Sequence, residues 1–276
     1  MKFSIVTPSF RNSEWLKLCV ASVADQGVEL EHIVQDAGSE DGTLDWLTKD
    51  KRVTAIVEKD QGMYDAINRG WRRATGDVLA YLNCDEQYLP GALKGVEIFF
   101  ASHPDVDFLA ADAVVVDDKG EYICHRYALT PLKSHLWHRF SVLTCAMFVR
   151  RRVVQEMGIY FDPRWRALGD MFWIKEIAYR GVRAAVLRQF TSTFTETGDN
   201  LGLAPVALRE RTAKEKQTPL LVKLFKPLII LHHRLRLLAS GAFSVKPFDY
   251  ELFTSASPSV RVRRHAAKPT PRWVGR

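Results

Sequence analysis

Cysteine is scarce in these 276 residues: Cys19, Cys84, Cys124 and Cys145 stand far apart, and none forms a Cys-x-x-Cys pair. That excludes a disulfide framework and a zinc site of the usual spacing, and it suits a reducing cytoplasm. The opening residues, MKFSIVTPSF, hold no apolar stretch long enough for a signal peptide, so no export leader is expected. Between residues 206 and 240 the apolar runs are broken by charge, well short of the ~20 residues a membrane span needs. No glycine-rich basic loop follows the first strand-like run, where a triphosphate-gripping enzyme would carry one. Few aromatics are interleaved with the basic residues of the tail, which disfavours stacking on single-stranded nucleic acid.

What is present is ordinary for a folded protein, 47% hydrophobic and 26% charged, and long enough for one large α/β domain with an appendage. The net charge of +7 is unevenly spread. From Val206 onward there are 15 Lys and Arg against 4 Asp and Glu, whereas the remainder holds 24 against 28. A basic tail suggests an anionic partner, lipid surface or nucleic acid; a merely solvated tail is the plain alternative.

Along the chain, Phe3 to Thr7, Glu31 to Asp36, Val53 to Val57 and Asp77 to Asn83 read as strands alternating with helices. The first helix has Asn12 or Ser13 as its cap. The third places Met63, Ala66, Ile67, Gly70 and Trp71 on one face, with Gly76 as its terminating glycine. Four such alternations before residue 90 predict a parallel, Rossmann-like sheet. A helix from Pro90 to Ser102 follows, then two strand-like runs, Asp107 to Ala111 and Ala113 to Val116, and a hairpin turn at Asp117 to Gly120. A short helix spans Val153 to Met157, and a longer one Met171 to Arg180. Val182 to Leu187 reads as a strand and Thr191 to Gly202 as a mobile loop. Residues 206 to 240 read as amphipathic helices, lying in a membrane interface or packed on the body. Beyond Phe253 the Ser-, Pro- and Arg-rich chain is expected to be partly disordered.

Polar residues recur where these strands stop: Thr7-Pro8-Ser9, Asp36, Asp60, and Asn83 with Asp85. A parallel sheet brings such ends to one edge, where open α/β sheets bind ligands. Any one acid is more commonly a turn or cap residue. Several on one edge repel each other unless a cation or hydrogen-bond donors lie among them.

The ordered segments SIVTPSF, HIVQDAGSEDGT and EKDQGMYDAINRGWRRATGDVLAYLNCDE resemble the family 2 glycosyltransferases, over roughly residues 3 to 200. The resemblance implies a GT-A fold, a Rossmann-like mixed α/β sheet flanked by helices, over residues 1–205. The nucleotide-binding half would be 1–100 and the acceptor-binding half 101–205, with a basic helical extension and tail over 206–276. It implies an inverting transferase that takes a sugar from a nucleoside diphosphate sugar, uridine favoured, with Mg²⁺ or Mn²⁺. The acceptor would be a carbohydrate or lipid-linked hydroxyl, in polysaccharide or glycolipid assembly. Carried over, Thr7, Pro8, Ser9 and Phe10 would hold the nucleotide and Asp36 the base. Ser39 and Asp41 would support that pocket. Asp60 and Gly62 would lie against base and ribose, with Asp65 and Asn68 in support. Asn83-Cys84-Asp85 stands where the family has Asp-x-Asp, leaving Asp85 as the main metal ligand and Glu86 open as a second carboxylate. Gly169-Asp170 matches the general base, although a helix cap also fits Asp170. The family often has an acidic pair there, and Gly169 removes one partner. His135, His138, Trp165 and Trp173 are assigned to packing, with acceptor-groove or sugar-stacking roles as alternatives, and Glu196 to Asn200 to a lid. A nucleotidyltransferase, or a non-catalytic sugar- or nucleic-acid-binding protein, are the rival readings. Nucleic acid is not expected as a partner. The location implied is cytoplasmic, with the basic C-terminal region at the inner membrane face.

Overall fold

The computed structural model describes residues 1–198, 201 and 204–273. Four strands, β1 (Phe3–Ser9), β2 (Leu30–Asp36), β3 (Thr54–Val57) and β4 (Val78–Tyr81), run parallel. Helices α1 (Ser13–Ala24), α2 (Thr43–Leu47) and α3 (Met63–Arg73) connect them. The second half supplies β5 (Gln87–Tyr88), α4 (Ala92–Ser102), β6 (Phe108–Asp117), β7 (Tyr122–Arg126), β8 (Met147–Arg150), α5 (Arg151–Gln155), α6 (Gly169–Tyr179) and β9 (Ala184–Glu196). The sheet order is β3-β2-β1-β4-β8-β6-β9-β5, with β7 paired to β6. The chain winds outward from β1 through β2 to β3, then jumps to β4 on the other side of β1. That reversal opens a crevice at the carboxyl ends of β1 and β4.

Alternation along the strands splits the core into two layers. Phe3, Ile5, Val78 and Ala80 face α4, while Val6, Leu79 and Tyr81 face α3 and α6. In the second layer Trp71 stacks on Phe161, and Phe161 on Trp173, with centroids 5.1 and 4.9 Å apart. Gly70 lets α3 sit directly on β1, since a Cβ there would lie 2.5 Å from Val6 Cγ1. Trp173 is thus core, its Nε1 donating to the Ile159 carbonyl, whereas Trp165 stacks on Phe172 at 3.8 Å.

Several local expectations are corrected. Gly76 does not end α3, which stops at Arg73 with Ala74 already extended. Its glycine is needed because a Cβ would stand 2.7 Å from the backbone of Phe3 and Ser4. Asn12 holds the N-cap position of α1 without a side-chain bond, and the Ser13 hydroxyl instead accepts Trp46 Nε1. The two runs around residue 112 are one strand. Asp112 at their junction is buried, ion-paired with Arg188, and accepts the Ala128 N–H at 2.8 Å. Thr191 to Glu196 is not a mobile loop. These residues continue β9 alongside β6, and Thr191, Ser192, Thr193 and Thr195 are buried. A polar but largely β-branched run had the composition of a loop and the conformation of a strand. Of the expected lid, Glu196 closes β9. Asp199, Asn200 and Gly202 lie outside the described residues.

After the sheet come α7 (Pro205–Gln217), α8 (Leu220–Leu224) and α9 (Lys226–Ala239), as the amphipathic pattern predicts. Beyond Phe253, where partial disorder is expected, the chain is ordered as a strand over Ser257–Ala266. A hairpin of β10 (Phe248–Thr254) and β11 (Ser257–Ala266) buries Tyr250, Leu252 and Phe253. Gln87 exchanges two 2.9 Å bonds with the Phe253 backbone, and Arg261 grips Asp25 through two bonds of 2.6 and 2.7 Å. Period-two burial within Arg-rich composition is what the compositional reading overlooked.

Candidate active site

At the carboxyl ends of β1 and β4 lies an open cleft of about 1450 Å³. That exceeds the ~300–1,000 Å³ typical of a single small-ligand site and leaves room for two ligands. Pro8, Ser9, Phe10, Asp60 and Gly62 line it. So do Asn83, Cys84, Asp85 and Asp170. Thr7, Asp36, Ser39, Asn68 and Glu86 are absent from its lining and buried behind it, and Asp65, also absent, is partly exposed on α3 and pairs with Arg69.

The hidden residues shape the wall. Both Asp36 carboxylate oxygens are engaged: Oδ1 by the N–H groups of Gly38 and Ser39, Oδ2 by the hydroxyls of Ser9 and Ser39. Ser39 Oγ in turn accepts the Arg11 N–H at 2.8 Å, so Asp36 sets the loop after β1 through one intermediary. Asp41 binds the N–H of Ser13 and the N–H and hydroxyl of Thr43, closing the same turn onto α1. Thr7 is turned inward to His32 Nε2 at 2.9 Å.

On the second side, Asp60 Oδ1 accepts the Gly62 N–H at 2.7 Å, and Asp65 Oδ2 accepts the Gln61 N–H at 2.9 Å from within α3. Gly62 has φ +112°, a conformation that L side chains rarely adopt, which is the reason for glycine there; the mobile end of the Arg166 side chain lies over the position a Cβ would take. Asn68 clamps the Phe161 backbone through two bonds, fixing the segment that leads to α6.

The loop after β4 carries the acids. Asp85 faces the cleft, half-buried, while Glu86 is buried and its carboxylate accepts the Asn83 N–H at 2.8 Å. Burial pushes both carboxyls up, Glu86 further because the charge of Asp85 stands beside it. Asn83 Oδ1 is buried without a hydrogen-bond partner. Asp85 and Asn83 together present oxygen donors alone, the chemistry a hard divalent cation takes, and the orphaned amide oxygen fits such a ligand. Among the described residues no group of three or more His, Cys, Asp or Glu could hold a metal. Donor phosphate and water oxygens would have to complete the sphere.

Asp170 occupies the first turn of α6, whose cap position is Leu168, so the cap reading of Asp170 is corrected. Burial pushes its carboxyl up to about 6, against the Met171 N–H and the Tyr64 hydroxyl, which hold it down. Gly169 has a steric reason, since a Cβ there would lie 2.5 Å from the Tyr64 ring.

Three residues of α7, Arg211, Lys214 and Glu210, escaped the sequence reading. Arg211 and Lys214 of α7 also line the cleft, and burial lowers the Lys214 ammonium. Their three-residue spacing puts both on one helix face, and was the available signal. Glu210 is turned the other way and receives the N–H groups of Arg166, Ala167 and Leu168. Of the histidines, His138 lines the cleft and donates to the Val222 carbonyl of α8 at 3.1 Å, whereas buried His135 pairs with His232 at 3.0 Å.

Comparisons with known proteins agree with this geometry. Residues 4–158 match the model described as Glycosyl transferase family 2. A PGL/p-HBAD biosynthesis glycosyltransferase of Mycobacterium bovis is 30% identical over 175 residues, 61% of this chain and 66% of that one. Glycosyltransferase AglE of Haloferax volcanii is 27% identical over 193 residues, 64% and 62% of the two chains. S. aureus TarS 1-349 in complex with UDP-GlcNAc superposes with a TM-score of 0.64 at 19% identity, covering 78% of this chain and 64% of that one. The mannosyltransferase PcManGT from Pyrobaculum calidifontis, in complex with GDP-Man and Mn²⁺, gives 0.54 at 17% identity, over 76% and 60%. In each case the match spans just under two thirds of the relative's length. The structural likenesses establish the GT-A fold.

Proposed function

The chain belongs to glycosyl transferase family 2, and from that membership we propose that it moves a sugar from a nucleoside diphosphate sugar to an acceptor hydroxyl with inversion. The observation that carries the reading is one cleft lined by Asp60, Asn83, Asp85 and Asp170. The loop after β1 and the Asp60–Gly62 turn would take the nucleoside, with Asp36, Ser39, Asp65 and Asn68 shaping them from behind. Relatives bound to UDP-GlcNAc favour a uridine donor, although another binds GDP-Man. Asp85, with Asn83 beside it, would hold Mg²⁺ or Mn²⁺, which when bound neutralises charge on the departing diphosphate. Glu86 would act through the Asn83 N–H that it holds. Arg211 and Lys214, which line the same cleft, suit the diphosphate.

Asp170 would accept the proton of the acceptor hydroxyl as that oxygen attacks the anomeric carbon opposite the leaving diphosphate. A carboxyl at about 6 is largely ionised at neutral pH yet more basic than an ordinary aspartate. The acceptor is read as a carbohydrate or lipid-linked hydroxyl in glycan or glycolipid assembly, a class favoured by the names of the mycobacterial relatives. Four free, buried cysteines suit a cytoplasmic location, and no helix among the described residues is long and apolar enough to cross a membrane. Attachment to the inner membrane face through the basic C-terminal region belongs to the same reading.

Calorimetry with UDP, GDP, dTDP and ADP, with and without Mn²⁺, tests it. One metal-dependent, base-selective binder is expected. Absence of binding to all four by folded protein would overturn it in favour of a non-catalytic role.

A further inference from the structure

The leucines of α8 and α9 point the wrong way for a helix packed on a body. Leu224, Leu228, Leu231, Leu235 and Leu238 recur at spacings of four and three residues, and are 52% to 65% exposed. That places them in one stripe along the outer face. The face turned to the body is narrow and partly polar: Ile229 and His233 are its buried residues, and Arg236 donates to the Thr130 carbonyl. Phe225, at the joint between the two helices, is also exposed. A continuous outward apolar strip of this kind marks an interaction surface rather than scattered surface hydrophobes.

The charges around the strip say what covers it. Between Arg211 and Lys246 there are eight Lys and Arg and a single acid, Glu215. Much of the remaining basic charge of the C-terminal region is already committed. Arg261 pairs with Asp25, Arg263 with Asp249, and Arg264 with Glu121. Among the described residues, Lys216, Lys223, Lys226 and Arg234 make no ion pair. A second copy of this chain would bring the same positive charge against itself. A surface both apolar and anionic matches the strip and its flanks.

We propose that α8 and α9 lie flat on an anionic lipid bilayer, with the leucine stripe inserted below the headgroups and the basic residues among the lipid phosphates. The 14 residues of α9 give a strip about 21 Å long, and such helices sink ~5–10 Å into the interface. His138 joins this surface to the cleft, lining the one and bonding the Val222 carbonyl of the other. The cleft therefore opens near the membrane plane. This deepens the membrane part of the function proposed above, but does not depend on sugar transfer.

Flotation of the full chain with vesicles tests it without donor or turnover. Vesicles of phosphatidylcholine with 30% phosphatidylglycerol should carry the protein up, and phosphatidylcholine alone should carry far less. Leu228→Gln/Leu231→Gln/Leu235→Gln should lower partition at least about tenfold, while UDP binding and the melting temperature stay unchanged because those side chains are exposed. Lys226→Gln/Arg234→Gln should remove the preference for anionic vesicles. Three results overturn the proposal: no flotation of the parent chain, flotation unchanged in the leucine variant, or a parent dimer in sedimentation that the leucine variant dissolves into monomers. A parent chain that binds UDP but does not float sinks only the membrane inference. The reverse pattern sinks only the transferase reading.

Discussion

The Glu210 carboxylate accepts the Leu168 N–H at 2.8 Å across 42 residues of chain. Arg166 and Ala167 donate to the same carboxylate, so one acid of α7 satisfies three successive N–H groups just ahead of α6. The helix that presents Asp170 is thus set by a helix that also lines the cleft. Glu210→Ala leaves those donors without their partner and should destabilise by about 2–4 kcal/mol. Because it loosens the approach to Asp170, it should also cut kcat by roughly 10²-fold. Glu210→Gln keeps one acceptor oxygen and should recover part of both losses. Thermal melts and initial rates of the two variants check this, and wild-type kcat in Glu210→Ala would remove the positioning role.

Asp170→Asn keeps an acceptor oxygen for the Met171 N–H and the Tyr64 hydroxyl, but cannot take a proton. Transfer should fall by about 10²–10⁴-fold with donor affinity unchanged. Calorimetry alongside rate measurement separates these effects, and full turnover would dismiss Asp170 as the base.

The raised carboxyl of Asp170 sets two pH dependences. A general base works ionised, so kcat/KM should climb as pH rises through about 6 and level off above it. For stability the sign is opposite to that of a salt-bridged acid. Its value in the fold lies above the ordinary 3.8, so the charged form is disfavoured by folding. That cost is absent below pH ~4, grows toward about 6, and is complete above it. Asp170→Asn should therefore be more stable than wild type at pH 7.5, by about 1–3 kcal/mol, and equal to it near pH 3.5. Denaturant titrations at the two pH values read the difference directly.

The parallel half and the acids at its strand ends were legible because period-two apolar runs and turn residues carry local signals. Asp60, Asp85 and Asp170 could be named from sequence, yet the division between cleft wall and support could not. Asp36 and Asp60 both follow a strand, but four local donors turn Asp36 inward, while Asp60 holds the rim. Glu210 was unreadable for a further reason: its three partners lie 42 to 44 residues away, and nothing local marks an acid on α7 as a cap for another helix. The leucine stripe was visible as a period, but which side met the body is decided by tertiary packing.

Gly169 gives a steric prediction. Tyr64 is buried and stacks on Phe161 with centroids 4.9 Å apart, so its ring cannot simply swing away from a new methyl. Gly169→Ala should cost about 1–3 kcal/mol. It should also displace the Tyr64 hydroxyl that holds the Asp170 carboxyl down, moving the rise in kcat/KM above pH 6. Tyr64→Phe removes the hydroxyl without adding bulk, and should shift the profile the same way with less loss of stability. Identical pH profiles in wild type and both variants would show that the hydroxyl does not act on the base.

The Asn83–Asp85 pair bears on metal use. Where the family pattern has two aspartates, this chain offers one carboxylate and one amide oxygen, with Glu86 withdrawn to hold the Asn83 N–H. One charge fewer at the site lowers cation affinity, but also lowers the repulsion among carboxylates crowded at the strand ends. Asp85→Ala should abolish the Mn²⁺ dependence of UDP binding. Asn83→Ala should weaken it by about tenfold. Asn83→Asp should strengthen Mn²⁺ binding in the presence of UDP, while lowering the melting temperature of the metal-free protein, because a further charge then faces Asp85 uncompensated. Calorimetry and melts with and without Mn²⁺ distinguish the three. Equal Mn²⁺ dependence in Asp85→Ala and wild type would remove Asp85 from the metal site.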